Sequence, residues 1–183
     1  MMSRERAEAL VEEKISNINT RRHMMAVSAI MEDLADRLGG DRELWSLTGL
    51  LHDIDYEAVG GDMKRHGLVS AEMLEGLLPE ESLHAIRAHN TMTGVEVESL
   101  LDKALIIADA VSGLIVASAL VMPHKKLSEV KVSTLKKKFK DKSFARSVDR
   151  DKIMMCKEVG MELEEFLELS LRSLQRISDK LGL

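Results

Sequence analysis

The short stretch Leu50–Glu57, with the sequence LLHDIDYE, concentrates several groups that could do chemistry. His52 and Asp53 stand side by side directly after an apolar run, and Asp55 and Tyr56 follow closely. Imidazole and carboxylate groups together form the kind of ligand set that divalent transition metals prefer. The chain has only six histidines, so one placed at the edge of the core needs a specific reason.

Another acid, Asp109, lies in the most apolar stretch of the chain, ALIIADAVSGLIVASALVM from Ala104 to Met122. An unpaired buried charge is very costly, so this carboxylate needs a cation beside it. A metal ion, an arginine or a protonated histidine would each serve. The small residues Ser112 and Gly113, on the same helical face, leave room for such a group to approach.

A third position of interest is His23. It precedes Val27 by four residues, so its side chain is expected on or beside the core-facing stripe of its helix. An isolated histidine of this kind is usually a hydrogen-bonded core residue. Together with His52, Asp53 and Asp109, however, it gives four nitrogen and oxygen ligands from three helices. The set contains no thiolate and predicts a divalent transition metal: Mn, Fe, Co, Ni or Zn.

Helical periodicity predicts the elements that position these residues. A helix is expected over residues 20–38, where Gly39-Gly40 ends it, and Asp41 can cap the next helix, which delivers His52 and Asp53 at its last turn. The remaining predicted helices are two shorter ones over 67–78 and 79–89, a long buried one over 98–122 stopped by Pro123, a short one around 135–140, and amphipathic runs over 149–160 and 161–181. No segment alternates as a strand would, so the predicted fold class is all-α.

Length and composition suit one compact domain over residues 1–183. Its core is expected at about 20–122, and a basic segment with C-terminal helices at 123–183. Aromatic residues make up only 3% of the chain and there are twelve methionines, which indicates an aliphatic helical core. Cys156 is the single cysteine, and the start of the chain, MMSRERAEAL, lacks the apolar segment of a signal peptide. A cytoplasmic location is therefore expected.

The apolar stretch around Asp109 is about as long as a membrane span. A charge near its middle makes insertion costly, so we expect the central helix of a soluble bundle and no membrane partner.

Charge is unevenly distributed along the chain. Residues 125–150 carry ten basic and three acidic side chains, a balance of +7, so the rest of the chain carries −12 within a total of −5. A solvated basic face explains this, and so does a surface that attracts anions. Nucleic acid is not the expected partner, because few aromatic residues are available to stack on bases and the isoelectric point is about 5.7.

The order of His23, the doublet His52-Asp53 and then Asp109 within ALIIADA resembles the HD-domain superfamily of metal-dependent phosphohydrolases, an all-α fold. The segments LIVASALVMPHKKL and LKKKFKDKSFAR further resemble an HDIG-like subgroup with a basic C-terminal segment. One departure is Asp55, which stands where the HDIG subtype has glycine.

The resemblance implies one or two divalent metal ions per chain. It places His23, His52 and Asp109 on one ion and His66 and His89 on the other, with Asp53 bridging them. His52 and Asp53 would then be the catalytic residues. The implied reaction is hydrolysis of a phosphate mono- or diester of a small metabolite or nucleotide, by a water molecule that the metals activate.

A phosphate ester also needs positive charge beyond the metals. Lys64, Arg65 and Arg87 neighbour the implied ligands in sequence, and Lys137 would join them if the basic segment folds over the mouth of the site, together with Lys136, Lys138 and Lys140. These are the predicted substrate-binding residues. Tyr56 and Asn90 are further candidates for substrate contact, whereas His84 and His124 are expected to face solvent.

Two other functions fit the same ligands. Some proteins that resemble this pattern hold a di-iron centre that activates oxygen, and a non-catalytic metal- or nucleotide-binding regulatory module would use the basic segment as its contact surface. The sequence is also compatible with homo-oligomerisation.

Overall fold

A computed structural model describes residues 1–183 as an all-α protein, which confirms the predicted fold class. It contains no β-strand. The ten helices are α1 (Arg4–Lys14), α2 (Ile18–Leu38), α3 (Arg42–Leu51), α4 (Leu68–Met73), α5 (Glu80–Ala88), α6 (Leu100–Leu120), α7 (Val132–Lys140), α8 (Arg150–Met154), α9 (Leu163–Arg176) and α10 (Ser178–Leu181). Short 3₁₀ segments occupy Thr91–Thr93, Leu127–Glu129 and Met155–Val159.

Helices α2 and α3 form a closely packed pair whose ends follow local rules. Helix α2 ends at Gly39, which takes the left-handed conformation with φ of 76°, and the side chain of Asp41 accepts a hydrogen bond from the Leu44 amide to begin α3. Where the two helices meet, a Cβ on Gly49 would lie only 2.9 Å from Met31 Cγ and 3.0 Å from Ser28 Cα. The close approach of α3 to α2 therefore requires glycine at position 49.

Helix α6 is the apolar central helix. Ser99 and Asp102 form a capping box at its start, as each side chain accepts from the backbone of the other. By length and composition this helix could cross a membrane, but 61% of its most apolar 18-residue window is buried inside the protein. Packing against the other helices accounts for its apolar character.

The core is one cluster of 45 buried residues that draws on segments from α1 to α10. Helix α1, which the sequence pattern did not predict, contributes Leu10 and Val11. Arg4 at its start donates hydrogen bonds of 2.8 Å to the hydroxyls of Ser28 and Ser46, and so ties α1 to α2 and α3. The predicted domain limits stay a prediction.

The basic segment is held in place by packing and by hydrogen bonds. Lys136 pairs with Glu164 of α9, and the ammonium group of Lys138 lies 4.3 Å from the centre of the Phe144 ring. The Arg150 guanidinium donates to backbone carbonyls at the end of α7 and in the loop between α7 and α8, those of Lys138, Phe139, Asp141, Phe144, Ala145 and Val148. Part of the positive charge is therefore used within the fold.

Candidate metal centre

The structure brings the six residues of the implied ligand set together. They are His23 in the first half of α2, His52 at the C-cap of α3 with Asp53 after it, His66 just before α4, His89 at the C-cap of α5, and Asp109 in the middle of α6. Four of them are buried, while the side chains of His23 and Asp109 are 30% and 28% exposed. The cluster therefore opens to solvent on the side of α2 and α6.

Asp53 lies at the centre of this cluster. Its Oδ1 is 3.2 Å from the Nε2 atoms of both His52 and His66 and 3.4 Å from that of His89. Its Oδ2 is 3.4 Å from His23 Nε2. One oxygen of the carboxylate thus faces three histidines and the other faces His23, an arrangement compatible with a bridging ligand.

Asp109 completes the side formed by α2 and α6. Its Oδ1 is 3.1 Å from His23 Nε2 and 3.8 Å from His52 Nε2. Ligand atoms lie within 4.8 Å of one another in two groups that share a histidine: His23, His52 and Asp109, and His52, Asp53 and His89. His66 stands next to the second group, with its Nε2 3.3 Å from that of His89.

Hydrogen bonds at Nδ1 orient three of the histidine rings. His52 Nδ1 is 2.8 Å from the Gly49 carbonyl oxygen and His89 Nδ1 is 2.5 Å from that of Ile86, so each nitrogen donates its proton to a carbonyl. His66 Nδ1 lies 2.8 Å from the Asp55 carboxylate and donates to it. With the proton held at Nδ1, each ring presents the lone pair of Nε2 to the cluster, as metal-ligating histidines do.

His23 follows the same pattern through a hydroxyl group. Its Nδ1 is 3.3 Å from Ser112 Oγ, and that hydroxyl donates its own proton to the Asp109 carbonyl at 2.8 Å. Ser112 therefore accepts from His23. Four Nε2 atoms and two carboxylates converge, and His52 Nε2 is buried without any hydrogen-bond partner. A divalent metal ion fits this donor set, because it would satisfy the buried nitrogen and neutralise the acids.

The titration behaviour of the cluster also indicates a need for positive charge. Burial disfavours charge on these groups, but the histidines hold the pKa of both Asp53 and Asp109 well below the ordinary range. In turn, and against the effect of burial, Asp109 and Asp53 raise the pKa of His23 to about 10, and Asp53 and Asp55 raise that of His66 to about 10. Without a metal, His23 and His66 each carry a second proton at Nε2, and these protonated rings supply the positive charge beside the two carboxylates.

The HD domain family model matches residues 20–114, more than half of the 183-residue chain, and this span contains all six clustered residues. The chain belongs to the HD-domain family. The match confirms the superfamily predicted from the sequence. It stops before the basic segment, so the resemblance to a particular subgroup stays a prediction. No curated protein and no solved structure gives a significant match to the chain.

In this HD domain Asp55 has a role that sequence reasoning missed. The residue is fully buried, and besides His66 it accepts hydrogen bonds from the amides of Gly67 at 2.7 Å and Ser70 at 2.9 Å. These hydrogen bonds overcome the effect of burial and lower its pKa. Asp55 thereby fixes His66 to the start of α4. The available signal was an extra acid two residues after Asp53 of the His-Asp doublet.

Two cavities adjoin the cluster and lie side by side, since both are lined by Asn19 and His23; together they are called the cleft. The first, of about 460 Å³, is also lined by Asn17, Thr20, Asp53 and Tyr56. The second, of about 380 Å³, lies between α2, α6 and the last residues of the chain. A larger cavity of about 560 Å³ contains no member of the cluster.

The four predicted substrate-binding cations lie outside this cleft. Lys64, Arg65 and Lys137 are exposed, Arg87 pairs with Glu80, and none of the four lines either cavity. Their role in substrate binding stays a prediction. The cation that does line the cleft is Arg22, which sequence reasoning missed. Its position next to the ligand candidate His23 was the only feature of the sequence that could have pointed to it.

The other polar residues singled out from the sequence have mixed outcomes. Tyr56 lines the mouth and meets the His66 ring edge-on, with 5.6 Å between ring centres. The Asn90 amide donates to the carbonyls of Met63 and His66, which is a structural role. His84, which was expected to face solvent, is 28% exposed, and its Nδ1 lies 3.0 Å from the buried carboxylate of Asp102. His124 is 81% exposed, as expected.

Proposed function

We propose that this protein is a metal-dependent phosphohydrolase that cleaves a phosphate mono- or diester of a small metabolite or nucleotide in the cytoplasm. The observation that carries the proposal is the convergence of four histidine Nε2 atoms on two carboxylates, with His52 Nε2 buried and without a hydrogen-bond partner. The HD-domain family, to which metal-dependent phosphohydrolases belong, supports it.

In this proposal His23, His52 and Asp109 hold one divalent transition metal ion, and His66 and His89 hold a second. The metal is Mn, Fe, Co, Ni or Zn. When bound, such ions lower the pKa of water and neutralise phosphate oxygens. Asp53 faces both groups of histidines and bridges them, so it is the residue on which the reaction most depends.

The protein's own contribution is to fix the ligands and to bind the ester. Carbonyls, a carboxylate and a hydroxyl orient the four histidines of the cluster, so their Nε2 atoms already face its centre. At the mouth, Asn19, Thr20 and Tyr56 offer hydrogen bonds to the phosphate and its neighbouring oxygens. His52, His66 and His89 are buried, so the side of the cluster away from the cleft is shielded from bulk water.

The test combines metal analysis of the purified protein with a screen of phosphate esters in the presence of Mn. We expect bound transition metal and phosphate release, and Asp53→Ala should lower the rate more than about 100-fold because a ligand shared by two ions is lost. Asp62→Ala is the matched control, since Asp62 is an exposed acid in the same loop whose side chain only accepts from the Lys64 amide.

Two results would contradict the proposal. Oxygen consumption by the ferrous protein without phosphate release would assign the centre to a di-iron oxygenase. Metal binding without turnover of any ester or uptake of oxygen would indicate a regulatory binding module.

A further inference from the structure

The second cavity of the cleft differs in character from the first. Its walls are formed mainly by small and aliphatic side chains of α2, α6 and the chain end: Ala26, Gly113, Val116, Ala117, Leu120, Leu181 and Leu183. At about 380 Å³ it is within the range of roughly 300–1,000 Å³ that is typical of small-molecule sites. Because His23 and Asn19 line both cavities, this one lies directly beside the candidate metal centre.

Besides the ligand candidate His23, one cationic side chain, Arg22, lines this apolar cavity. It takes part in none of the ion pairs of the protein. Its Nε atom is buried and has no hydrogen-bond partner. Arg22 is half-buried, and a buried guanidinium N–H without an acceptor costs free energy, so an anion that pairs with it would stabilise this position.

The backbone makes room for the Arg22 guanidinium. Gly182 lies so close that an added Cβ would be 2.7 Å from Arg22 Nη2. The neighbouring Arg21 is used quite differently, because its guanidinium donates to the carbonyls of Ile15 and Glu12. Of these two adjacent arginines, one fastens the start of α2 and the other is left without a partner beside the metal centre.

We propose that this cavity binds the part of the substrate remote from the scissile phosphate, and that this part is an aliphatic group bearing an acid that pairs with Arg22. The inference rests on the proposed function and narrows it to phosphate esters of aliphatic hydroxy acids. A nucleoside fits less well, because no aromatic residue other than the ligand His23 lines the cavity and the unpaired donor calls for an anion.

The experiment measures binding of non-hydrolysable probes to the metal-loaded full chain by calorimetry. The probes are ω-phosphonocarboxylates of about three to eight carbons, each compared with the alkylphosphonate of the same length. At the best length, the carboxylate should improve the dissociation constant about tenfold, as expected for a hydrogen bond between two charged groups. The length series makes no assumption about the distance between the metals and Arg22.

Three variants assign the effect to the cavity. In Arg22→Gln the tenfold gain should vanish, while the affinity for alkylphosphonates stays unchanged. Arg21→Gln removes the same charge one position away and should retain the gain. Ala117→Leu places bulk in the apolar wall, so it should weaken binding of long alkylphosphonates but not of methylphosphonate.

The outcomes separate this inference from the proposed function. If methylphosphonate binds but no carboxylate gain is seen, or if the gain persists in Arg22→Gln, the subsite is wrong and the phosphohydrolase proposal stands. If neither inorganic phosphate nor methylphosphonate binds, the proposed function fails, and hexanoate then tests the cavity alone. Hexanoate binding that Arg22→Gln abolishes would support the subsite, and absence of such binding would overturn it.

Discussion

Replacing Asp55 with asparagine tests how a buried acid keeps His66 ready for a metal. Asp55 accepts the Nδ1 proton of His66 with one oxygen and the amides of Gly67 and Ser70 with the other. Asparagine has a single oxygen. If that oxygen stays with the two amides, its NH₂ group faces His66 Nδ1, and the ring must move its proton to Nε2 to accept from it. A protonated Nε2 cannot bind a metal.

The expected cost has two parts. Loss of one hydrogen bond to a charged group should lower the free energy of unfolding by about 1.5–3 kcal/mol. Loss of the partner that orients a ligating histidine should weaken metal binding roughly 10–100-fold. Both effects come from one oxygen atom, since the substitution preserves the volume of the side chain.

The matched control is Asp102→Asn. Asp102 is also fully buried, accepts from the amides of Glu98 and Ser99, and lies beside the Nδ1 atom of His84, but it is not part of the cluster. Both variants should lose stability in chemical denaturation. Only Asp55→Asn should lose metal affinity by calorimetry and change the tautomer of His66 in nitrogen NMR spectra. Equal metal affinity in the two variants would refute this account of Asp55.

Three further predictions concern the packing of α2 against α3 and the titration of the cluster. Gly49→Ala should lower the free energy of unfolding by about 1–3 kcal/mol in urea denaturation, because the added Cβ would meet backbone atoms of α2. Gly113→Ala should cost less, because its Cβ would meet only a methyl group of Val148 at 3.3 Å. Equal losses of stability in the two variants would contradict this prediction. Metal uptake at pH 8 should release protons and should weaken as the pH is lowered, because the pKa of His23 and of His66 is raised to about 10 and the ion must displace their protons. Calorimetry in buffers of different ionisation enthalpy measures this release, and an absence of released protons would contradict the prediction. For the same reason the metal-free protein should lose stability as the pH rises from about 6.5 towards 10, which thermal unfolding at a series of pH values would show.

Features that depend on neighbouring residues were predictable from the sequence. Gly39 ends α2 and Asp41 begins α3 as their residue types require, because capping involves only a few adjacent backbone groups. The apolar stretch around Asp109 is the central helix. The convergence of the six ligand candidates was predicted from their order along the chain and from the family resemblance. Their roles as metal ligands stay proposals.

Features that depend on contacts between distant elements were not predictable. The hydrogen bond from His66 to Asp55 exists only because the loop after α3 folds back on itself. Arg22 follows the helical geometry that turns it away from His23, yet the cavity between α2 and α6 is wide enough to include both side chains. Helix α1 has few apolar residues among many charged ones, so its periodicity was too weak to recognise.

The cluster draws its six side chains from four helices and the loop after α3, beginning in α2 and ending in α6. During synthesis on the ribosome, no complete donor set exists until α6 has emerged and docked in the core. A metal ion can therefore stabilise the finished domain but cannot direct its early folding. Cellular metal scarcity would then shorten the lifetime of the mature protein more than it would slow its production.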